Sequence, residues 1–225
     1  MLKPIEHQEC YYSPKQREIL LKIFQGKINK NIYLTGGTCL SVFYFGHRTS
    51  EDLDIFFNEK VNLLDYVNWF KVIDKVDVVL AESEVFCSYI FSNIKVDFVY
   101  DKFSYNEEKN NILIDNSNIY IDTLNNIIIN KLCCLVSRFA LKDIIDFGMF
   151  FLINNYTLSQ VYEKAIERDG LMGDVEYVKY TFLKAAEVLK EKTMNKDIGF
   201  ILSESVNLLS LSNIYKELAF KLDSL

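Results

Sequence analysis

The sequence predicts an α+β chain: an N-terminal half that interleaves strands with helices, then a helical C-terminal half. Three observations point there. Apolar and polar residues alternate with period two in several short runs before residue 121. From Thr123 the apolar spacing becomes helical and stays so to the end. With 2 Pro and 8 Gly in 225 residues, little material exists for a long flexible linker. The expected organisation is an α/β core over 1–121 and a helical region over 122–225.

Each element has a local cause. Ser13-Pro14-Lys15-Gln16 is a helix start: Ser13 can cap, Pro14 suits the first turn, and Gln16 stands at the capping-box position. Ile19, Leu20, Ile23 and Phe24 then follow helical spacing towards Gly26. A short strand over 31–35 ends at Gly36-Gly37, a helix is expected over 38–45, and a strand over 53–57. The run 63–72 is helical, with Leu64, Val67, Trp69 and Phe70 largely inward. Strands are expected over 76–81, 85–92 and 94–100, with shorter ones over 112–114 and 119–121. Asp122 or Thr123 opens the first long helix.

Composition excludes several classes. Apolar residues make up 50% of the chain, with 17 Phe and 14 Tyr, which argues for a substantial core and against disorder. No apolar run approaches membrane-spanning length without a charge, and the first residues lack a signal peptide's apolar centre. The expectation is a cytoplasmic protein with no membrane partner. Five cysteines form an odd set without metal-ligand spacing, and two histidines cannot supply a zinc centre. Net charge is −6, unsuited to a general nucleic-acid coat. Its distribution is uneven, however: +4 over residues 1–48, −7 over 49–101 and −3 beyond. A local basic strip is compatible with docking one structured RNA.

The chemistry concentrates between Thr35 and Phe57. Gly36 and Gly37 permit backbone conformations closed to other residues, so amide groups can converge on an anion. Thr38 opens a helix whose positive end favours phosphate, and its hydroxyl could donate to a phosphate oxygen. Asp52 and Asp54 follow at i and i+2 on an apolar strand, hence on one face. Carboxylates so close repel unless a cation lies between them, and hard oxygen ligands suit Mg²⁺, with Mn²⁺ as the alternative. Asp97 interrupts a buried-type strand, where an unpaired carboxylate would be costly; a nearby metal removes that difficulty. A metal beside a phosphate-binding turn is the minimum equipment for phosphoryl or nucleotidyl transfer.

The stretch from Gly36-Gly37-Thr38 through His47-Arg48, Ser50 and Asp52-Leu53-Asp54 resembles the first motif of the AbiEii nucleotidyltransferases. These are toxin components of type IV toxin–antitoxin and abortive-infection systems, within the DNA polymerase beta-like superfamily. The resemblance continues through Lys95-Val96-Asp97-Phe98-Val99, Asn130-Lys131-Leu132, Arg138 and Lys142-Asp143-Ile144-Ile145-Asp146, covering roughly residues 30–150. It implies a polymerase-beta-like core of mixed sheet and flanking helices, followed by a helical bundle that completes the cleft. It implies Asp52, Asp54 and Asp97 as catalytic metal ligands, with Asp97 also helping to deprotonate the acceptor. It implies NTP or phosphate contacts from Gly36, Gly37, Thr38, Arg48, Ser50 and Lys131, with Arg138, Asp143 and Asp146 in support. The reaction it implies is transfer of a nucleotide from an NTP to a hydroxyl, at the 3′ end of a tRNA, with a cognate antitoxin as partner. Transfer to a protein or small molecule, and a catalytically silent nucleotide-binding module, are the competing readings.

Overall fold

The computed structural model describes residues 2–25, 31–59, 62–101, 108–154, 156–195 and 197–223. Its contacts divide the chain into two units, Met1–Leu124 and Asn125–Leu225.

The first unit is built on a seven-stranded mixed sheet. Its strands are β1 (Ile32–Thr35), β2 (Leu53–Phe57), β3 (Val78–Glu82), β4 (Phe86–Phe91), β5 (Ile94–Tyr100), β6 (Asn110–Ile114) and β7 (Ser117–Ile121). They lie in the order β3-β4-β5-β2-β1-β7-β6. Sequential neighbours form antiparallel pairs, whereas β2–β5 and β1–β7 are parallel, so the chain crosses over to fill the centre. Helix α1 (Pro14–Phe24) packs on β7, and α3 (Leu63–Ile73) packs on β4 and β5. The α1 end expected at Gly26 lies outside the described residues. Phe57, Tyr66, Phe70, Tyr89, Phe91 and Phe98 form one aromatic cluster between α3 and the sheet, with mostly edge-to-face contacts. Alternation along β2 and β5 is clean: Leu53, Ile55, Phe57, Ile94, Val96 and Phe98 are buried while Asp54, Lys95 and Asp97 face the other way.

Two local expectations are refined. The helix expected over 38–45 begins at Gly36: α2 (Gly36–Leu40) runs into one π-helical turn, Ser41–Phe45. Left-handed Gly46 ends it, its N–H bonding Ser41 O at 2.9 Å. At α1, Ser13 accepts from Gln16 N as a cap should, but Gln16 Oε1 accepts from Tyr12 N rather than closing a capping box.

The second unit is helical: α4 (Leu124–Arg138), α5 (Leu141–Ile153), α6 (Leu158–Arg168), α7 (Val175–Asn195) and α8 (Leu208–Leu222). Helix α8 packs against α5 and α7 around Phe147, Phe182 and Tyr215, and the Tyr215 hydroxyl donates to Ile144 O at 2.7 Å. A capping box at Thr157 and Gln160 starts α6. Among the described residues, no helix is long and apolar enough to cross a membrane.

Candidate active site

Strand register lines up a polar row across the sheet. Ser88 on β4 lies opposite Asp97 on β5, Asp97 opposite Asp54 on β2, and Asp54 opposite Thr35 at the end of β1. Asp122, just past β7, continues the row: its N–H bonds Leu34 O at 2.9 Å and its carboxylate accepts from Thr35 Oγ1 at 2.8 Å. Five strands thus bring their chemistry-bearing residues to one level. Two lysines flank it, Lys95 beside Asp97 at 2.6 Å and Lys109 beside Asp122 at 3.1 Å.

The glycine turn presses against this row. Gly36 has φ +70°, and a Cβ there would lie 1.9 Å from Asp54 Oδ2. A Cβ on Gly37 would lie 2.6 Å from Arg48 Nη2 and 3.1 Å from Ser50 Oγ. A Cβ at Gly36 would meet both a left-handed backbone and the Asp54 carboxylate, whereas at Gly37, whose φ is not positive, it would have to displace the tip of Arg48. The Thr38 hydroxyl is fully buried and donates to the Asp52 carbonyl instead of standing open to phosphate. A buried hydroxyl has to find an acceptor, and here that bond ties turn to acid loop.

The loop carrying Arg48 and Ser50 is held from beneath. Arg48 and Ser50 are both buried, and Arg48 Nη1 donates to Thr49 O at 2.9 Å. Gln16, buried on α1, donates through Nε2 to Ser50 O at 2.9 Å, and Ser50 N donates to Cys10 O at 3.3 Å. His47 is buried against the Phe45 ring, 5.6 Å between centroids, in keeping with an ordering role for the loop. Tyr33 and Tyr44 belong to the core, their hydroxyls bonded to Asp101 Oδ2 and Asp122 O.

Asp54 and Asp97 therefore meet in register, while Asp52 precedes the strand and is anchored through its backbone. Among the described residues, no three His, Cys, Asp or Glu side chains are gathered tightly enough to hold a metal ion as they stand. The expected three-acid meeting is thus looser than the sequence suggested, and a lysine enters it. Carboxylates repel one another without a cation, and here the Lys95 ammonium supplies the positive charge. Burial disfavours charge on Lys95, but the Asp97 bond and the fields of Asp97, Asp52 and Asp54 outweigh it, raising its pKa. The Lys95 ammonium thus sits on one acid of the row, and the hard carboxylate donors of Asp54 and Asp97 are of the kind that fit a divalent ion.

Lys131, Arg138, Asp143 and Asp146 form a separate cluster within the helical unit. The Lys131 ammonium lies 2.8 Å from Asp143 Oδ1 and 2.7 Å from Asp146 Oδ2, both carboxylates fully buried. Arg138 reaches Asp143 twice, at 2.6 and 3.0 Å. Burial pushes the Asp143 pKa up, yet these bonds prevail and hold it below the usual carboxylate range. The Lys131–Asp143 pair joins α4 to α5.

Sequence reasoning singled out the acids, the glycines and the Arg48 loop. It missed Thr35, Ser88, Gln16 and Lys109, ordinary residues until the register assembles them. Cys39 is buried as a small apolar residue would be, its thiol pKa pushed well up by burial. None of the five cysteines forms a disulfide among the described residues.

Comparison with known proteins points to a family and a fold. Residues 18–76 match the family model described as nucleotidyl transferase AbiEii toxin, type IV TA system. An uncharacterised protein of Aquifex aeolicus (strain VF5), aq_aa25, is 31% identical over 159 residues, spanning 68% of this chain and 73% of its own. Two solved structures share the fold. JHP933 from Helicobacter pylori has a TM-score of 0.52 at 17% identity, over 92% of this chain and 90% of that one. MenT4, a nucleotidyltransferase toxin from Mycobacterium tuberculosis H37Rv, has a TM-score of 0.52 at 12% identity, over 93% and 82%. Glycine turn, paired acids and mixed sheet converge with the sequence relatives: the chain belongs to the AbiEii nucleotidyltransferase toxin family and is a nucleotidyl-transferring enzyme.

Proposed function

We propose that this enzyme transfers a nucleotide from an NTP to an acceptor hydroxyl, and that the acceptor is the 3′ end of a tRNA. One observation carries the reading: Asp54 and Asp97 are register partners on parallel strands, and Asp54 lies directly against Gly36 of the turn. Acids and anion-binding backbone thus share one small volume. Asp54 and Asp97, with Asp52 beside them, would hold Mg²⁺ or Mn²⁺, which when bound neutralises phosphate charge. The turn residues Gly36 and Gly37, with Arg48 and Ser50, bind the phosphates; Thr38 anchors that turn through Asp52. The acceptor oxygen attacks the α-phosphorus, the bond to the β-phosphate oxygen breaks, and pyrophosphate leaves. Asp97 takes the hydroxyl proton. Lys131, supported by Arg138, Asp143 and Asp146, is assigned to NTP use on the family resemblance alone.

Membership of a type IV toxin family supports growth arrest or phage defence as the outcome, a cognate antitoxin as partner and the cytoplasm as the site of action. Incubation with each α-³²P-labelled NTP, Mg²⁺ and total tRNA, wild type against Asp54→Asn, tests the reaction. RNA labelled by wild type and unlabelled by the variant supports it. Label in protein or a small molecule replaces the tRNA acceptor, and no transfer to any acceptor rejects the proposal.

A further inference from the structure

Asp97 has two carboxylate oxygens, and both are engaged. Oδ1 accepts from Ser88 Oγ at 2.5 Å, and Oδ2 meets the Lys95 ammonium at 2.6 Å. The two donors differ in one respect. Ser88 is buried on β4, directly opposite Asp97 in the ladder, and its short side chain has nowhere else to go. Lys95 stands two residues from Asp97 on the same face of β5, with its side chain 39% exposed and a long flexible stem. A metal ion using Asp97 must share the carboxylate with these donors: the neutral hydroxyl leaves lone pairs free, whereas the ammonium repels an incoming cation, and only the lysine can swing away.

We propose that Lys95 is the resident counterion of the acid row: it neutralises Asp97 until a divalent cation arrives, must withdraw from Oδ2 for that cation to bind, and so sets the site's metal affinity. This inference rests on the reading of Asp54 and Asp97 as metal ligands. Its consequence is specific. An ammonium competing for the same oxygen weakens metal binding, and a lysine released from Asp97 becomes a mobile positive group beside the incoming triphosphate. Metal binding and phosphate binding would then be coupled through one side chain. Lys95 is a positioning residue in this scheme, acting through Asp97.

The experiment titrates the full chain with Mn²⁺ alone, free ion being measured by electron paramagnetic resonance, in wild type, Lys95→Met, Lys95→Gln, Lys95→Arg and Asp54→Asn. Lys95→Met should bind Mn²⁺ about five-fold tighter, the size expected from removing a partly exposed ion pair. Lys95→Gln, which keeps a polar tip without charge, should also bind tighter and serves if the methionine variant does not fold. Lys95→Arg should stay within about two-fold of wild type, because its charge restores the competition. Without metal, the methionine variant should melt below wild type and gain more on saturation with Mn²⁺. Unchanged or weaker binding in the Met and Gln variants, with binding still lost in Asp54→Asn, overturns the counterion role and leaves the metal reading standing. Absence of Mn²⁺ binding in wild type overturns both.

Discussion

Gly36→Ala probes the closest approach in the site. A methyl group there would sit 1.9 Å from Asp54 Oδ2, 2.7 Å from its Cγ and 3.1 Å from its Cβ. The left-handed φ of +70° adds about 1–2 kcal/mol for any residue bearing a Cβ. Crowding against the carboxylate adds about 1–3 kcal/mol. Loss of glycine's freedom in the unfolded chain offsets up to about 1 kcal/mol. The net expectation is about 1–5 kcal/mol of lost stability, read by urea denaturation. Asp54→Ala removes Oδ2 and Cγ, leaving only the 3.1 Å approach, so the crowding share disappears and the backbone share persists. A double-mutant cycle should therefore show the two substitutions coupled by about 1–3 kcal/mol in favour of the double variant. Nucleotidyl transfer by Gly36→Ala should fall about 100-fold, because the displaced carboxylate no longer meets Asp97. Strict additivity in the cycle, or full activity in Gly36→Ala, would refute the placement of Asp54 against the turn.

Further expectations address other parts of the molecule. Lys131→Met leaves Asp146 buried without this ammonium and halves the cationic support of Asp143, so unfolding free energy should drop by about 3–5 kcal/mol; a loss under about 1 kcal/mol would show the cluster to be unimportant to the fold. Asp97→Asn should keep the fold yet slow transfer by about 10²–10⁴-fold, the range for losing a general base, as single-turnover rates would report. Acid unfolding carries a sign. Asp143 has its pKa depressed in the folded protein, so its contribution is present above the ordinary Asp value near about pH 4 and is lost as pH falls through the folded value. Arg138→Gln removes the largest cause of that depression and should shift acid unfolding to higher pH; superimposable acid transitions would contradict it.

Much of this protein was legible because it depends on near neighbours. Alternation along Leu53–Phe57 and Ile94–Tyr100 needs only period two, so the faces carrying Asp54, Lys95 and Asp97 followed directly. The change of period after residue 121 separated strand-rich from helical chain, and Gly36-Gly37 announced a turn with unusual backbone freedom, which Gly36 uses at φ +70°. Strand order was a different matter. Nothing local dictates that β2 lies between β1 and β5, and that arrangement alone puts Thr35, Asp54, Asp97 and Ser88 in one row. Charge pairing divides in the same way: Lys95 and Asp97 are neighbours on one face of one strand, whereas Lys131 meets Asp143 and Asp146 only because α4 packs against α5. Periodicity and turn chemistry act over a few bonds and can be read from residue types. Pairing of buried charges depends on which distant strands and helices share a core, and only the folded chain decides that.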